Sequence, residues 1–508
     1  MPEHHESIAQ HYHDRTKYHP ETIASKSQGL DWSQQPVPFK EYKIGTSYDL
    51  KRYIQEENLA FSDEPVALWW RRLSRLLFCS YGLTSKLSSM MGNAIYLRAA
   101  PSAGGLYPAE IYLISRGTPL LPAGLYSYQP QTHSLIHFWE SEVWQSLQGA
   151  CFEHPALENT ELAIVTTAIF YRSAWRYQDR AYRRIFLDTG HLLGNIELAS
   201  ALNDFRPHLI GGFVDTAVDQ LLYLDADVEG AIAVMALADL LDVKQNLPVG
   251  NTALPSATHT NYAYIPDGEL LKYCHIATQI EPDTTIGKNL PETPALEDKY
   301  NFPFCLKVST ATTPIDWGLN LEGLERTILR RRSTRAYSGA DLSLDELKAL
   351  LDFTYQPHNY IEQGLDDAPD YFDLNLLETF VAVSGVSGLE EGCYYYAPKA
   401  QELRQIRFKN FRRELHYLCL GQELGRDAAA VLFHTADLKT AVTQYGDRVY
   451  RYLHMDAGHL GQRLNLAAIY LNLGVSGIAG FFDDQVNEVL GIPADEAVIY
   501  ITTIGQKK

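Results

Sequence analysis

The sequence predicts an α+β fold that occurs twice in tandem, because one pattern of residues returns at a fixed distance along the chain. Residues 177–183 (Tyr-Gln-Asp-Arg-Ala-Tyr-Arg) return as 445–451 (Tyr-Gly-Asp-Arg-Val-Tyr-Arg), an offset of 445 − 177 = 268. The same offset carries 124–128 onto 392–396. Strand-like apolar runs alternate with helical patterns in both halves, which favours α+β or α/β layers around one sheet per copy. A repeat this long indicates two globular domains rather than a solenoid.

The first copy is predicted to open with a helix over 67–81, since apolar residues recur there at helical spacing and Gly82 can end the helix. A second, longer helix is predicted from about 181 to 202 and carries small residues such as Gly190 and Gly194 along one stripe. Small residues permit the close approach of another helix or of a planar ligand. Buried strands are predicted at 110–114, 124–128, 162–168 and 231–236.

The second copy repeats this plan, with helices predicted from about 323 and over 449–472. Its strands are predicted at 378–383, 429–433 and 497–501. The prolines of the leader and of the connector between the copies favour extended paths, and neither segment is expected to have a counterpart in the opposite copy. The predicted organisation is a leader (1–60), a first domain (61–243), a connector (244–320) and a second domain (321–508).

Composition and charge restrict the class of protein. The 508 residues are 46% apolar and 21% charged, as in an ordinary soluble globular protein. The net charge of −19 argues against nucleic acid or an acidic membrane surface as a partner, because like charges repel. An anionic cofactor would therefore need a local basic pocket.

The cysteine pattern and the first residues predict a cytoplasmic protein. Six scattered cysteines, with no Cys-x-x-Cys, fit reduced thiols. Residues 1–6 are unlike a signal peptide, and no apolar run approaches the roughly 18 residues of a membrane span. Histidines in the leader could bind a metal, yet no ligand at fixed spacing organises them, so we predict no metal site. These histidines are His4, His5, His11 and His13.

The second copy begins with a basic element that the first copy lacks. Arg331, Arg332, Ser333 and Arg335 place guanidinium groups and a hydroxyl at a helix end. Subtracting 268 from positions 331, 333 and 335 gives 63, 65 and 67, which are Asp, Pro and Ala. In an acidic chain such a group of donors is what a phosphate requires, because guanidinium forks bind phosphoryl oxygens. The alternative is an exposed basic helix end that pairs with the acidic surface.

The first copy has a loop of small residues that the second copy lacks, since the equivalent residues 369–373 are bulky or acidic. The loop consists of Pro101, Ser102, Ala103, Gly104 and Gly105. Such a loop exposes backbone amides and lets a flat ligand approach without a Cβ in the way, although it could also be a simple tight loop. Since each copy keeps what the other has lost, we predict one composite site across the two domains.

These elements resemble those of the nitroreductase-like flavoproteins, in particular the SagB/ThcOx-type dehydrogenases that include cyanobactin-type thiazoline oxidases. The resemblance covers both copies and implies a mostly antiparallel sheet flanked by helices in each copy. It implies a fused pseudo-dimer with one FMN site between the domains. The residues that the resemblance assigns to FMN are Arg331, Arg332, Ser333, Arg335, Pro101, Ser102, Ala103, Gly104, Gly105, Ala479 and Gly480.

The resemblance also implies the reaction, which is the oxidation of thiazoline or oxazoline rings to azoles in a ribosomally made peptide. Removing a proton and a hydride from the ring requires a base on the side opposite the flavin. The Lys-Tyr pair of the family is replaced by Arg176 and Tyr177 in the first copy and by Gln444 and Tyr445 in the second. We hypothesise that Tyr177 is the base, with its phenolate favoured by Arg176 or Arg180. Tyr445 is the alternative base, and Tyr177 could also be a structural tyrosine.

Two other functions stay open at this point. One is a general nitro- or quinone reductase supplied by NAD(P)H, and the other is a non-catalytic scaffold that docks a precursor peptide. The expected partner is an azoline-containing precursor peptide, and the fused chains could pair again as a homodimer. The leader and the connector are expected to form an accessory element that clamps this peptide, or else to brace the two domains.

Overall fold

The computed structural model of the chain describes residues 6–23, 29–54, 64–88, 94–242, 245, 252–282 and 295–508. In these residues the chain forms two seven-stranded antiparallel sheets, one in each copy, flanked by helices. This arrangement confirms the predicted duplicated α+β fold. Within the same residues, none of the helices combines the length and the apolar character that crossing a membrane requires.

The first copy contains nine strands, of which seven form its sheet. The strands are β1 (Thr46–Asp49), β2 (Leu83–Ser88), β3 (Ala94–Arg98), β4 (Ala109–Ser115), β5 (Gly124–Gln129), β6 (Ser134–Trp139), β7 (Leu162–Ile169), β8 (Phe205–Ile210) and β9 (Glu229–Asp239). Strands β2 and β3 pair as a separate hairpin, and the others follow the order β1-β6-β5-β4-β7-β9-β8. The interior strand β7 is buried from Leu162 to Ala168, which explains why its sequence is mostly apolar without alternation.

The second copy repeats this topology. Its strands are β10 (Lys307–Ser309), β11 (Leu342–Ser343), β12 (Glu378–Val383), β13 (Val386–Ser387), β14 (Gly392–Ala397), β15 (Glu402–Arg407), β16 (Ala430–Asp437), β17 (Gly474–Ile478) and β18 (Glu496–Gly505). The sheet follows the order β10-β15-β14-β12-β16-β18-β17, while β11 and β13 form a short parallel pair. Each position of the second sheet thus has its equivalent in the first.

Fifteen α-helices within the described ranges surround the sheets. They are α1 (Ile8–Arg15), α2 (Pro65–Tyr81), α3 (Trp144–Ala150), α4 (Ala156–Asn159), α5 (Phe170–Tyr177), α6 (Ala181–Ala201), α7 (Asp215–Leu221), α8 (Leu270–Ala277), α9 (Glu322–Arg330), α10 (Leu344–Tyr355), α11 (Arg412–Leu418), α12 (Glu423–Asp427), α13 (Leu438–Tyr445), α14 (Val449–Tyr470) and α15 (Asp483–Leu490). The predicted long helices correspond to α6 and α14.

Helices α6 and α14 are equivalent and cross each other at glycines. A Cβ added to Gly190 would lie 2.9 Å from the Cα of Gly458, and one added to Gly458 would lie 3.0 Å from the Cα of Gly190. A side chain at either position would force the helices apart. The predicted stripe of small residues therefore serves helix packing, which was one of the two alternatives.

Buried ion pairs join the two copies in a symmetric manner. Arg180 and Arg183 of the first copy pair with Asp483 of the second. The counterparts 268 residues later, Arg448 and Arg451, pair with Asp215 of the first copy. Burial alone would raise the pKa of both carboxyls, but the paired guanidinium groups outweigh it and hold each pKa below its ordinary value. The domains are thus related by a pseudo-twofold axis.

Parts of the leader and the connector belong to the repeat, so the expectation that neither has a counterpart was wrong. Strands β1 and β10 occupy the same edge of their sheets. Just before them, Lys40 pairs with Glu229 and Lys299 pairs with Glu496, both at 2.6 Å. Here the offset is 299 − 40 = 259 instead of 268, so a search at one fixed offset does not detect this part of the repeat.

A helix of each of these two segments packs between the domains. In α1, Ile8, Ala9 and Tyr12 are buried, and the backbone amide of Ala9 donates to Asp447 Oδ1 at 3.0 Å. Helix α8 is likewise buried along one side. These contacts are those of a brace between the domains. The predicted boundary near residue 60 and the leader residues His4 and His5 fall outside the described residues.

Candidate active site

A surface cavity of about 380 Å³ lies beside the end of α9. Its lining residues are Arg330, Arg332, Ser333, Thr334, Arg335, Ala336, Ile469, Lys507 and Lys508. Among the residues that the structure describes, none of its five cationic side chains forms an ion pair with a carboxylate. Five unpaired cations at a concave site, in a chain of net charge −19, provide the environment that a phosphate group requires.

Arg331 does not line this cavity but turns inward to the first domain. It is only 4% exposed, and it donates from Nε to the carbonyl oxygen of Ala99 at 2.7 Å and from Nη2 to that of Arg98 at 3.1 Å. Burial, together with the neighbouring charge of Arg332, lowers the pKa of Arg331 to about 10. The basic element of the second domain thereby holds the backbone that leads into the 101–105 loop of the first.

The small-residue loop is held by one carboxylate of α6. The hydroxyl of Ser102 donates to Asp188 Oδ2 at 2.6 Å, and the backbone amide of Ala103 donates to Asp188 Oδ1 at 3.0 Å. Ser102 also accepts a hydrogen bond from the amide of Tyr107 at 2.9 Å. Burial raises the pKa of Asp188 to about 7, although these two donors oppose the shift. Asp188 thus holds the 101–105 loop against α6.

The structure brings this loop against both candidate catalytic residues. Gly104 has a positive φ of 66°, and a Cβ at this position would lie 2.9 Å from the Tyr177 hydroxyl and 3.3 Å from Cδ of Arg176. Only glycine allows this approach. Gly105 has the same φ, but a Cβ there would meet nothing within 4 Å, so this residue borders open space.

A residue that the sequence did not single out connects Tyr177 to the second domain. The guanidinium carbon of Arg184 lies 3.9 Å from the centroid of the Tyr177 ring. Its Nη2 donates to the carbonyl oxygen of Ala479 at 3.0 Å. Ala479 and Gly480, both half-buried, therefore belong to the same region as the loop and Tyr177.

Tyr500 of β18 and His191 of α6 contact each other next to Gly477 of β17. The Tyr500 hydroxyl and His191 Nε2 are joined by a hydrogen bond of 2.9 Å, and a Cβ on Gly477 would overlap that hydroxyl. Tyr500 pairs with His434 in its sheet, at the position where the first sheet pairs Ala233 with Thr166. A comparison of the two copies residue by residue would have found this difference.

The equivalent region of the second copy is filled by side chains. Asp456 accepts the backbone amides of Phe372 and Asp373, both at 3.0 Å, whereas Asp188 accepts the Ser102 hydroxyl and the Ala103 amide in the first copy. The ring of Phe372 stacks on that of Tyr452 with centroids 4.5 Å apart, and a Cβ on Gly211 would lie 2.6 Å from Phe372 Cδ1. Within the described residues, the equivalent place in the second copy is thus packed with side chains, whereas Gly105 of the first copy borders open space.

The fold and the site define a duplicated oxidoreductase of one family. The sequence pattern of the nitroreductase family matches residues 84–238 and 328–506. The chain therefore belongs to the nitroreductase family. A crystal structure of a nitroreductase-type protein from Anabaena variabilis has 73% sequence identity and a TM-score of 0.95, and the match covers 99% of this chain and all of that one.

Two curated relatives match shorter parts of the chain. The nitroreductase-type protein MJ1384 of Methanocaldococcus jannaschii is 33% identical over 184 residues, which is 36% of this chain and 91% of that protein. The microcin B17-processing protein McbC of Escherichia coli is 28% identical over 154 residues, which is 29% of this chain. The match spans 56% of McbC, little more than half of its length.

Proposed function

We propose that this nitroreductase-like oxidoreductase uses FMN to oxidise azoline rings, thiazoline in particular, to azoles in a ribosomally made peptide, as cyanobactin-type oxidases do. The observation that carries the proposal is that the basic element of the second domain, through Arg331, hydrogen-bonds the carbonyls of Arg98 and Ala99, directly before the small-residue loop that contacts Tyr177. The similarity to a protein that processes microcin B17 supports a peptide substrate.

The residues present fit FMN. The five unpaired cations and Ser333 would hold its phosphate, while Gly105, which borders open space, would let a flat ring approach the loop. Bound FMN would supply the hydride acceptor that an azoline oxidation needs. Because Arg331 bridges the two domains, it would hold the phosphate-binding residues of the second domain at a fixed position relative to the glycine loop of the first.

Tyr177 is the base in this proposal. Its ring lies against Arg184, its hydroxyl lies against Gly104 of the small-residue loop, and the residue is half-buried rather than sealed in the core. Its phenolate would take the proton that leaves the azoline ring carbon. Tyr445, the alternative, donates to Asp373 Oδ2 at 3.0 Å, and burial together with Asp373 raises the pKa of Tyr445. This disfavours the phenolate of Tyr445, so we assign the role to Tyr177.

The direct test is mass spectrometry of an azoline-bearing peptide incubated with the FMN-loaded protein. We expect a loss of two hydrogens per ring oxidised. Tyr177→Phe should lower the rate by roughly a hundredfold, within the usual range for a general base, and keep its FMN. Tyr445→Phe serves as the matched control and should react at a rate close to the original. A fully active Tyr177→Phe protein would show that another group is the base.

A general reductase supplied by NAD(P)H is the second candidate, favoured by the family to which the chain belongs. The two functions differ in the fate of added nicotinamide. Mixing the flavin-loaded protein with NADPH in an anaerobic stopped-flow instrument would bleach the flavin within seconds for a reductase. If the protein is an azoline oxidase, the azoline peptide rather than NADPH would bleach its flavin.

The exposed part of the leader supports a peptide-binding role. The ring of Trp32 lies 5.5 Å from that of Trp175, two residues before Tyr177 on α5, and Trp175 Nε1 donates to the carbonyl oxygen of Asp31 at 3.2 Å. Trp32 is nevertheless 61% exposed. We therefore propose that the stretch 31–39, rather than the whole leader and connector, contacts the peptide beside its azoline ring.

A further inference from the structure

Arg184 lies on α6 between the Tyr177 ring and Ala479, the residue that follows β17. Its guanidinium carbon is 3.9 Å from the ring centroid, its Nη2 donates to the carbonyl oxygen of Ala479 at 3.0 Å, and its Nη1 donates to that of Arg180 at 3.4 Å. The side chain is only 4% exposed. The charge is therefore held against the face of the phenol, away from water.

This charge has no carboxylate partner among the residues described, unlike its neighbours on the same segment. Arg180 and Arg183 pair with Asp483, whereas Arg184 forms no ion pair within 4.0 Å. Asp188, one turn further along α6, accepts hydrogen bonds from Ser102 and Ala103 instead. A buried and unpaired guanidinium is costly, so negative charge that forms next to it is strongly favoured.

Arg184 is also one of the positions at which the two copies differ. The 268-residue offset relates Arg180 to Arg448 and Asp188 to Asp456, and between them it relates Arg184 to Tyr452. Tyr452 stacks on Phe372 in the region of the second copy that side chains fill. The arginine thus occurs only in the copy that contains the Gly104–Tyr177 contact.

We propose that Arg184 is a positioning residue that orients the ring of Tyr177 and stabilises its phenolate. The inference rests on the proposed role of Tyr177 as the base. In this role the phenolate takes one proton from the azoline ring carbon and becomes the phenol, which passes that proton to water before the next turnover. The other charged groups near this ring are Arg176, whose guanidinium carbon lies 5.7 Å from the centroid, and Asp188 below the loop.

The test is a pH titration of Tyr177 in the substrate-free protein, read by fluorine NMR after 3-fluorotyrosine is placed at position 177. We expect Arg184→Met to move the titration midpoint about one unit to higher pH, because an opposite charge at this distance favours the ionised form. Arg184→Lys should retain most of the effect. Arg176→Met is the matched control and should move the midpoint less, since its cation is exposed and screened.

Arg184→Gln is the second neutral variant, and it keeps a donor for the Ala479 carbonyl in case Arg184→Met does not fold. An unchanged midpoint in a folded neutral variant would overturn the inference. An increase in the midpoint for both neutral variants, but not for Arg184→Lys, would establish it. The titration needs no peptide, so its result is independent of whether the protein removes two hydrogens from an azoline.

Discussion

At the scale of single residues, the basic element divides into two roles that its sequence does not reveal. Helix α9 ends at Arg330, and Arg331 at its C-cap has an extended backbone (φ −53°, ψ 127°). Successive side chains of an extended segment point to opposite sides, so Arg331 turns inward to the carbonyl of Ala99, while Arg332 lines the cavity and donates to Thr84 at its border. The sequence predicted a cluster of phosphate donors but not this split, because side-chain direction depends on where the helix ends.

This split predicts different outcomes for substitutions within the element. Arg335→Ala should weaken FMN binding by roughly tenfold to a hundredfold, since it removes a charge-assisted contact of about 1.5–3 kcal/mol, and leave the thermal midpoint unchanged. Arg331→Ala should lower the thermal midpoint as well, because the carbonyls of Arg98 and Ala99 lose their buried donor. Flavin titration and calorimetry measure both effects. An Arg331→Ala protein of original stability would argue against the bridging role.

At the scale of elements, the sequence predicted the long helices and central strands well, because their apolar residues form continuous or periodic runs. The packing of the leader was harder to predict. Helix α1 has a capping box in which Ser7 and Gln10 bind each other's backbone amides, a signal that was present in the sequence. What it packs against, Asp447 among others, lies more than 400 residues away, and no local pattern encodes such a contact.

The exposed leader stretch predicts an effect on peptide binding alone. Trp32→Ala removes the ring that meets Trp175 edge to face, and we expect KM for a long azoline peptide to rise about fivefold to tenfold, as the loss of one aromatic contact implies. Turnover of a minimal azoline and FMN content should stay the same. Trp139→Ala, which removes a tryptophan that is 41% exposed at the end of β6, is the matched control. A loss of flavin or solubility would instead identify the stretch as a structural brace.

At the scale of the whole molecule, the duplication retains symmetric packing but an asymmetric site. The glycine crossing and the buried Arg–Asp pairs occur in both copies, since the domains must associate in the same way from either side. The equivalent carboxylates Asp188 and Asp456 still hold their loops in both copies. The sequence revealed the repeat, the basic element that the first copy lacks and the small-residue loop that the second copy lacks. It did not reveal what fills the second region, because Phe372 and Leu254 come from segments that only the fold brings together.

We therefore predict one FMN per chain. The first region has the cationic cavity and the open glycine loop, whereas in the second a Cβ on Gly211 would lie 2.6 Å from Phe372 Cδ1 and one on Gly212 would overlap Leu254. Absorbance of the flavin released by acid, divided by the protein concentration, should give a ratio near one. Phe372→Ala should leave the ratio unchanged, because removing the ring creates space without supplying cations for a phosphate. Two tightly bound flavins in the original chain would contradict the composite-site interpretation.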